Sequence, residues 1–436
     1  MFGALALAGL IVMTEPARAQ GVTDEFAAAA AALRADPTSL EKSFAFGVVA
    51  VKAGRLGDAV AAFERLLALN PQLDNIRLEL GLLYARLGSI DTARVYLAEA
   101  IASPSIPPTV KERAQTIMAQ LDRAASRHLV SGSVTFGVRH DSNVNLGPAS
   151  SGVQLFGTTA SLDPRDLGKP DYSTIASAAL QYKYDLEGQS GDYLEANLQG
   201  YDQRYFSTRS FNTQVLQVDF GPWISAGKLG DHVVRLRPYF QAAYLTLENL
   251  QYLAQTGGGL QARRRLTETL DVDLGVLVLD QRFHNSKRRR TATEQDGVET
   301  QASTALTWRL APDQAAGIAG FYYFNAARVD SLSKRQLGAR VSYGVEFQDF
   351  FGLLSNAWSV QASAEYRSVR YDRPDPIIDA STKRRDDRFT FRLAGIFSIT
   401  EQVKFIVSGE STRNSSNFPN FRYDNLAASS AILITF

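Results

Sequence analysis

Apolar and polar residues alternate along the chain from about residue 129 to Phe436. In segment 132–139, for example, Val134, Phe136 and Val138 take even positions, while small or polar residues take the odd ones. Successive side chains of a β-strand point to opposite faces, so such segments put an apolar wall and a polar wall on one sheet. Closure removes the unpaired edges that hydrocarbon cannot solvate. The pattern therefore predicts a transmembrane β-barrel with lipid outside and water inside.

The alternating segments predict fourteen strands, an even number as in bacterial barrels. They are expected near 129–139, 173–186, 193–206, 211–223, 232–246, 250–264, 269–283, 298–310, 315–327, 335–347, 357–371, 387–399, 403–413 and 422–436. Long and short connections alternate, as in 140–172 followed by 187–192. This alternation is typical of long loops outside the cell and short turns in the periplasm. The glycine run 257–259 is expected to mark a bend in the sixth strand.

Residues 23–125 change to a helical period and carry a longer repeat. Four pairs of equivalent positions lie 34 residues apart: Pro37 and Pro71, Gly47 and Gly81, Ala59 and Ala93, Phe63 and Leu97. This spacing of small residues, an aromatic and a helix-ending proline is typical of tetratricopeptide repeats. Helices are predicted over 24–35, 40–53, 57–69, 73–87, 90–102 and 108–124.

Stacked helix pairs of this kind form a concave surface that can hold a peptide. The candidate docking residues are Arg77, Tyr84 and Phe63. The alternative is a rigid plug or spacer below the barrel, in which Tyr84 and Phe63 belong to the core of the repeats.

The N-terminus predicts export. An apolar run from Leu5 to Met13 precedes Ala17-Arg18-Ala19, a small-x-small cleavage motif of secretory signals. A buried helix is the alternative, and the lack of a basic residue near Met1 suggests a start codon further upstream. The expected organisation is a signal peptide over 1–19, a periplasmic repeat domain over 20–126 and a barrel over 127–436.

Composition removes several classes of protein. The 436 residues include 46 basic and 45 acidic ones, for a net charge of +1, which argues against a general nucleic-acid binder. Past the N-terminus no run reaches the roughly 18 apolar residues that a membrane-spanning helix needs. There is no cysteine, and the four histidines lack metal-ligand spacing. We therefore expect no enzyme, cofactor or metal site.

The parity of each strand assigns its side chains to one wall. Lipid-facing positions include Leu216, Val218, Phe220, Val272, Leu274 and Val276, with Trp308, Trp358, Tyr343 and Phe397 as girdle residues near strand ends. Lumen-facing candidates are Lys183, Asp219, Arg235, Arg237, Asp273, Arg340, Glu346 and Arg392, with Asp185, Glu195, Asp271, Glu299 and Glu365 on the same wall. Mixed charge predicts a small or partly filled pore, or a water-filled lumen lined by structural ion pairs. Arginine at position 219 should then disturb the barrel much less than arginine at position 218.

Two further features concern partners. The basic runs 287–290 and 383–385 fall in outer loops, where they could bind lipopolysaccharide phosphates, bind a protein partner or simply be solvated. The last strand is apolar, and Ile434 and Phe436 resemble the terminal signal that the barrel assembly machinery reads.

The combined architecture resembles a known family. A signal peptide, a short tetratricopeptide domain and a fourteen-stranded barrel are similar to the surface lipoprotein assembly modulators (Slam), also described as type XI secretion outer-membrane proteins. The first strand ends in Asp141-Ser142-Asn143, which resembles the start of that family's barrel domain. The resemblance implies transport of lipoproteins, or sometimes soluble proteins, across the outer membrane to the cell surface. The helical domain is shorter than the family leads us to expect.

The sequence thus predicts a translocator in the outer membrane of a Gram-negative bacterium, with its helical domain in the periplasm. Its expected partners are an exported lipoprotein or protein substrate, the barrel assembly machinery and lipopolysaccharide. Two alternatives stay open. An exopolysaccharide exporter also joins such repeats to a barrel, although with longer arrays and more strands, and a passive porin could carry a periplasmic scaffold.

Overall fold

The computed structural model describes residues 17–104, 107–124, 126–187, 190–230, 232–347 and 358–436. The chain divides into two compact units, Met1–Ser126 and Arg127–Phe436. Most of the predicted signal peptide, residues 1–16, lies outside the described residues.

The first unit is helical, as predicted. Its helices are α1 (Ala17–Ala35), α2 (Leu40–Lys52), α3 (Leu56–Leu69), α4 (Asp74–Arg86), α5 (Ile90–Ala102) and α6 (Pro108–Ala124). The predicted ends agree with these within one residue, apart from the start of α1, which lies seven residues earlier than expected. None of the described helices is long and apolar enough to cross a membrane.

The 34-residue repeat produces the same contact in two successive helix pairs. A methyl group added to Gly47 would lie 2.3 Å from Phe63 Cε1, and one added to Gly81 would lie 2.7 Å from Leu97 Cγ. Phe63 and Leu97 are buried in the core. The glycines are therefore needed because one helix lies directly on a large side chain of the next.

The second unit is a closed antiparallel barrel, which confirms the predicted fourteen strands. The strands are β1 (His128–Asp141), β4 (Asp171–Asp185), β5 (Tyr193–Tyr205), β6 (Thr213–Leu229), β7 (His232–Leu247), β8 (Leu250–Thr267), β9 (Leu270–Phe283), β10 (Gly297–Ala311), β11 (Gln314–Ala327), β12 (Lys334–Phe347), β13 (Trp358–Tyr371), β14 (Arg385–Ser398), β15 (Val403–Ser416) and β16 (Tyr423–Thr435). Each pairs with its neighbours in sequence, and β1 pairs with β16. A small hairpin of β2 (Gly152–Leu155) and β3 (Thr158–Ser161) lies in the first connection.

The connections define two ends of the barrel. At the loop end they cover 142–170, 206–212, 248–249, 284–296, 328–333, 372–384 and 417–422. At the turn end they cover 186–192, 230–231, 268–269, 312–313 and 399–402, together with 348–357, which lies outside the described residues. The expected alternation has exceptions at both ends, because the loop end includes the two-residue turn 248–249 and the turn end includes the ten-residue connection 348–357. Glu248 and Asn249 of the two-residue turn have φ of 59° and 61°, which suits a tight hairpin.

The glycine run 257–259 does not interrupt β8. Pairing continues through it on both sides: Gly258 lies opposite Phe240 of β7 and opposite Val278 of β9. A methyl group added to Gly257 would lie 1.9 Å from the Val278 carbonyl oxygen. The run instead allows neighbouring backbones to approach closely.

Candidate functional site

The inner wall of the barrel carries a buried ion cluster on three adjacent strands. Arg237 of β7 is only 3% exposed, and its guanidinium contacts Asp219 of β6 and lies 3.5 Å from Glu195 of β5. Its other terminal nitrogen donates to Gln261 Oε1 of β8 at 3.3 Å. Lys183 Nζ lies 3.9 Å from Glu195 Oε2 and extends the cluster to β4. The structure thus brings together four of the residues predicted to face the lumen, Lys183, Glu195, Asp219 and Arg237.

This cluster changes one expectation. Asp219 is 9% exposed and is the closest anionic partner of Arg237. Arginine at position 219 would place two guanidinium groups together with little water around them. With this contact in view we expect the substitution to be costly and not mild.

Two more predicted residues lie beside the cluster. Arg235 Nη1 donates to the carbonyl of Gly191 at 3.0 Å, close to the turn end. Asp273 accepts from Arg263 Nε at 2.6 Å, and the Arg263 guanidinium lies 5.0 Å from the centroid of the Trp223 indole. Sequence reasoning missed Arg263, although its odd position on β8 matches the parity of the inner wall.

A second cluster lies on β12 and β13. Glu365 of β13 accepts from Arg340 of β12 and from Arg367 Nη2, the latter at 2.9 Å. Its side chain is 3% exposed. Glu346, also predicted to face the lumen, lies near the turn end of β12, where its backbone N–H donates to the Asp313 carbonyl at 2.8 Å.

A third cluster links β1 to β14 and β15 across the inner wall. Arg392 of β14 contacts Glu410 of β15, and Glu410 lies 3.3 Å from Arg139 of β1. Arg139 also forms two hydrogen bonds to the buried carboxylate of Asp141, at 2.9 and 2.8 Å. The inner wall therefore presents charges of both signs in local pairs, so that it selects neither sign of charge over its whole surface.

The Asp141-Ser142-Asn143 stretch fastens the first connection to the last strand. Asn425 of β16 donates to Asp141 Oδ1 at 2.9 Å and accepts from the Asn143 backbone N–H at 2.9 Å. The Asn143 side chain bonds both the N–H and the carbonyl of Gly147, each at 2.9 Å. These buried amide contacts explain why this short motif follows the strand.

The β2–β3 hairpin then lies against two other loops, and we call this arrangement the loop cap (residues 142–170, 372–384 and 417–422). Phe156 N–H donates to the Ile377 carbonyl, and Gly157 N–H donates to the Ile378 carbonyl, both at 2.8 Å. Asn420 exchanges two hydrogen bonds with the Gln154 backbone, at 2.8 and 2.9 Å. The cap therefore covers the β13–β16 side of the loop end. Sequence reasoning missed it because these asparagines carry no recognisable spacing.

Several arginines of the basic runs have partners within the chain. Arg384 pairs with Asp386, and its guanidinium lies 3.2 Å from the centroid of the Phe421 ring. Arg288 donates to Glu248 at 3.0 Å, and Arg289 donates to the Ser210 carbonyl at 3.2 Å. Binding of lipopolysaccharide by these runs stays a prediction.

The structure separates the three docking candidates of the helical unit. Phe63 is 2% exposed and packs in the core, so its placement on a docking surface is wrong. Arg77, expected to be exposed, has a side chain that is 21% exposed and bridges Asp74, at 2.5 Å, to Glu99, at 3.1 Å. A peptide would have to compete with these two carboxylates for Arg77.

Tyr84 is partly exposed and stacks on Tyr96, with ring centroids 5.6 Å apart and planes at 5°. Its hydroxyl donates to Glu64, and this hydrogen bond raises the pKa of Tyr84 to about 12. The Tyr84–Tyr96 pair thus gives the helical unit an aromatic surface with an acidic neighbour.

Among the described residues, no cluster of histidine, cysteine, aspartate or glutamate could hold a metal ion. The described histidines lie in separate places. His128 Nδ1, for example, forms a hydrogen bond with the Tyr182 hydroxyl at 2.7 Å on the opposite face of β1 from Arg139.

A closed fourteen-stranded barrel with an apolar outer wall, preceded by tetratricopeptide helices, defines an outer-membrane β-barrel protein. A family model described as surface lipoprotein assembly modifier matches residues 131–396, and a tetratricopeptide repeat model matches residues 50–105. The chain belongs to the surface lipoprotein assembly modifier family, which confirms the resemblance predicted from the sequence. This family and fold are those of an outer-membrane assembly barrel and not of an enzyme class.

No curated protein matches the chain. Among solved structures, a loop-deletion mutant of OmpT, an outer membrane protein of Vibrio cholerae, is 11% identical with a TM-score of 0.38, covering 71% of this chain and 100% of that one. The outer membrane channel DcaP of Acinetobacter baumannii is 10% identical with a TM-score of 0.37, covering 71% and 97%. The type III secretion translocator chaperone SycD of Yersinia enterocolitica is 12% identical with a TM-score of 0.22, covering 24% and 75%.

Proposed function

We propose that this chain is a translocator that moves lipoproteins or small secreted proteins to the cell surface. The family match over residues 131–396 carries the proposal, because it covers most of the barrel. In this proposal residues 1–19 are removed on export, residues 20–126 lie in the periplasm and residues 127–436 form the pore. The locally paired charges of the inner wall suit a polypeptide cargo, which itself carries both signs of charge.

The helical unit would receive the substrate before it enters the barrel. Tetratricopeptide helices bind peptides on one face. In this chain the stacked rings of Tyr84 and Tyr96 offer aromatic contacts, and Arg77 offers a charged contact.

Insertion of the barrel would depend on its last strand. Ile434 lies opposite Val134 of β1 on the lipid-facing parity, and Phe436 exchanges backbone hydrogen bonds with Gly132 at 2.9 and 3.0 Å. Deleting residues 434–436 should abolish heat-modifiable migration on gels, because the strand that closes the barrel against β1 loses its end. Unchanged insertion of the truncated chain would argue against a role for this end in assembly.

The proposed function is tested by surface display. A candidate substrate lipoprotein from the same organism would be probed with protease on intact cells that express the wild-type chain, a deletion of residues 23–125, Arg77→Ala or Arg94→Ala. Arg94 is the matched control, because it also bridges two helices, through Asp122 at 2.8 Å and Asp91 at 3.6 Å. We expect the deletion and Arg77→Ala to reduce display while the barrel inserts normally, and Arg94→Ala to have no effect.

Other results would point elsewhere. Normal display of the lipoprotein combined with loss of surface polysaccharide in the deletion strain would favour an exopolysaccharide exporter. No change in either would favour a passive porin with a periplasmic scaffold.

A further inference from the structure

The backbone pairing between β6 and β7 has a gap. It runs without interruption from Thr213 and Leu247 to Phe220 and Phe240, and it resumes only at Ile224 and Leu236. In the middle of the gap the register places Pro222 opposite Pro238. Proline has no N–H, so neither residue can donate to the other strand. We call residues 221–223 and 237–239 the β6–β7 seam.

The gap belongs to this strand pair and not to its neighbours. Pro222 lies opposite Leu194 in the continuous pairing of β5 with β6, and Pro238 lies opposite Leu260 in that of β7 with β8. Along the seam β6 therefore stays paired with β5, and β7 stays paired with β8. The two strands lack backbone hydrogen bonds only toward each other.

The lipid-facing side of the seam is an apolar notch of about 600 Å³. Its wall is formed by Phe220, Gly221, Pro222, Pro238, Tyr239, Phe240, Gly258 and Gly259, and among these only Tyr239 has a polar side-chain atom. Phe220, Pro222, Pro238 and Phe240 share the parity of the lipid-facing Val218. An extended peptide could not add to the seam as a strand, because the two prolines offer it no N–H. A hydrocarbon chain needs no hydrogen-bond partner, and hydrocarbon surrounds this wall of the barrel in a membrane.

On the inner side, Arg237 spans the seam. It projects from β7 and reaches Asp219 on β6 and Glu195 on β5, and the carbonyl of Glu195 lies 3.4 Å from Nη2. These charge-assisted contacts bridge β6 and β7 where their backbone hydrogen bonds are missing. The backbones still pack closely here, since a methyl group added to Gly221 would lie 2.1 Å from the Pro238 carbonyl oxygen, and pairing resumes on both sides of the seam.

We propose that the β6–β7 seam is a lateral opening that takes one acyl chain of the lipid anchor of a substrate lipoprotein, while the substrate polypeptide lies in the lumen. Arg237 closes the opening from inside. This inference rests on the proposed function, since it assumes lipoprotein substrates. It gives the acyl chain an apolar environment while the polypeptide is in the lumen, which matters because every CH₂ group of the anchor that enters water weakens membrane attachment.

The native chain has no cysteine, so two engineered cysteines can form a disulfide across the seam without competition from native thiols. We call this disulfide the seam staple. Phe220 and Phe240 lie directly opposite each other at its edge, and Phe220→Cys with Phe240→Cys places two thiols within disulfide reach. Leu198→Cys with Val218→Cys is the matched control: these residues also lie opposite each other on the lipid-facing wall, on the adjacent β5–β6 pair. Full-length variants would be expressed in cells together with the same candidate lipoprotein that is used to test the proposed function.

Oxidation of the seam staple should reduce surface display of the lipoprotein at least tenfold, and dithiothreitol should restore it. The control staple should leave display unchanged, and heat-modifiable migration should show that both variants are folded. A version of the same substrate without its lipid-bearing cysteine should pass through the stapled seam barrel normally. Full display of the lipidated substrate by the oxidised seam variant would overturn the lateral opening while the proposed function stands. Absence of display by the unstapled chain would instead refute the proposed function, and the inference with it.

Amide hydrogen exchange tests the seam without any substrate. In full-length protein in phosphatidylcholine vesicles, the amides of Phe220, Ile224, Leu236 and Phe240 should exchange at least tenfold faster than those of Leu274 and Thr304, which face each other in the continuous pairing of β9 with β10. Equal protection of the two sets would show that the seam is closed as firmly as the rest of the wall, and would overturn the inference.

Discussion

The Arg237 cluster gives the most direct test of how the inner wall is held together. Arg237→Met keeps much of the side-chain volume but leaves the carboxylates of Asp219 and Glu195 without their central cation. Their side chains are only 12% and 10% exposed, so water cannot replace the lost charge. Removing one partner of a buried ion pair costs about 3–5 kcal/mol.

Residual partners place the expected loss near the lower end of that range. Glu195 keeps Lys183 at 3.9 Å, and Asn197 still donates to Asp219 at 2.9 Å and to Glu195 at 3.2 Å. We therefore expect Arg237→Met to lower the free energy of unfolding by about 3 kcal/mol. Adding Asp219→Asn should recover about 1–2 kcal/mol, since the second change removes one unpaired charge and neighbouring sites couple by about 0.5–3 kcal/mol.

The assay is urea unfolding of the barrel in phospholipid vesicles, followed by tryptophan fluorescence. Arg413→Met is the control, because Arg413 pairs with Asp424 at 2.8 Å but both side chains are well exposed. Exposed pairs contribute about 0–1 kcal/mol, so this variant should unfold almost as the wild type does. If Arg237→Met and Arg413→Met lost the same stability, the inner wall would be solvated enough that Arg237 does not hold the three strands together.

Three further predictions follow from other parts of the chain. Val218→Arg places a charge on the lipid-facing wall and should cost about 2–4 kcal/mol in the same urea assay, whereas a cost near zero would put position 218 on the inner wall. Gly81→Val forces side-chain atoms into Leu97 and should lower the stability of the helical unit by about 1–3 kcal/mol, measured as a lower unfolding midpoint by circular dichroism; an unchanged midpoint would contradict the close packing. The pKa of Tyr84 is raised from 10 to about 12 by Glu64, so the bond stabilises the folded state below pH 10 and this contribution is lost as the pH rises toward 12. Wild type minus Tyr84→Phe difference absorbance near 295 nm should show this late titration, and a midpoint at pH 10 would mean that the hydrogen bond does not form in solution.

The sequence predicted the strands well because each strand of a membrane barrel has one wall in lipid and one in water. That requirement imposes strict alternation, so nearly every strand end was predicted within three residues. The main exception is β6, which continues to Leu229 in place of 223. The extra residues Ser225 and Leu229 pair with Arg235 and His232, beyond the point where β5 begins. The alternation of apolar and polar residues therefore does not mark the part of the β6–β7 hairpin that extends past β5.

Contacts between strands were harder to predict, because they depend on register and not on pattern. Parity places Asp219 and Arg237 on one wall, but it does not show that these two residues, 18 positions apart in sequence, are in direct contact. The same limit applies to the helical unit. The repeat marks Phe63 and Arg77 as special positions, yet only the packed helices show that Phe63 is buried and that Arg77 is held by two carboxylates.

The loop cap has a consequence for the order in which the barrel is built. Its contacts join Asp141, Asn143 and the β2–β3 hairpin to Ile377, Asn420 and Asn425, so they connect parts of the chain more than 200 residues apart. Such contacts form late, because the intervening chain must first be ordered. The cap can form only after β16 has paired with β1. Until then residues 142–170 lack their hydrogen-bond partners. Protection of residues 142–170 from protease would therefore mark the moment when the barrel is complete, and a barrel stalled before closure would remain open to cleavage there.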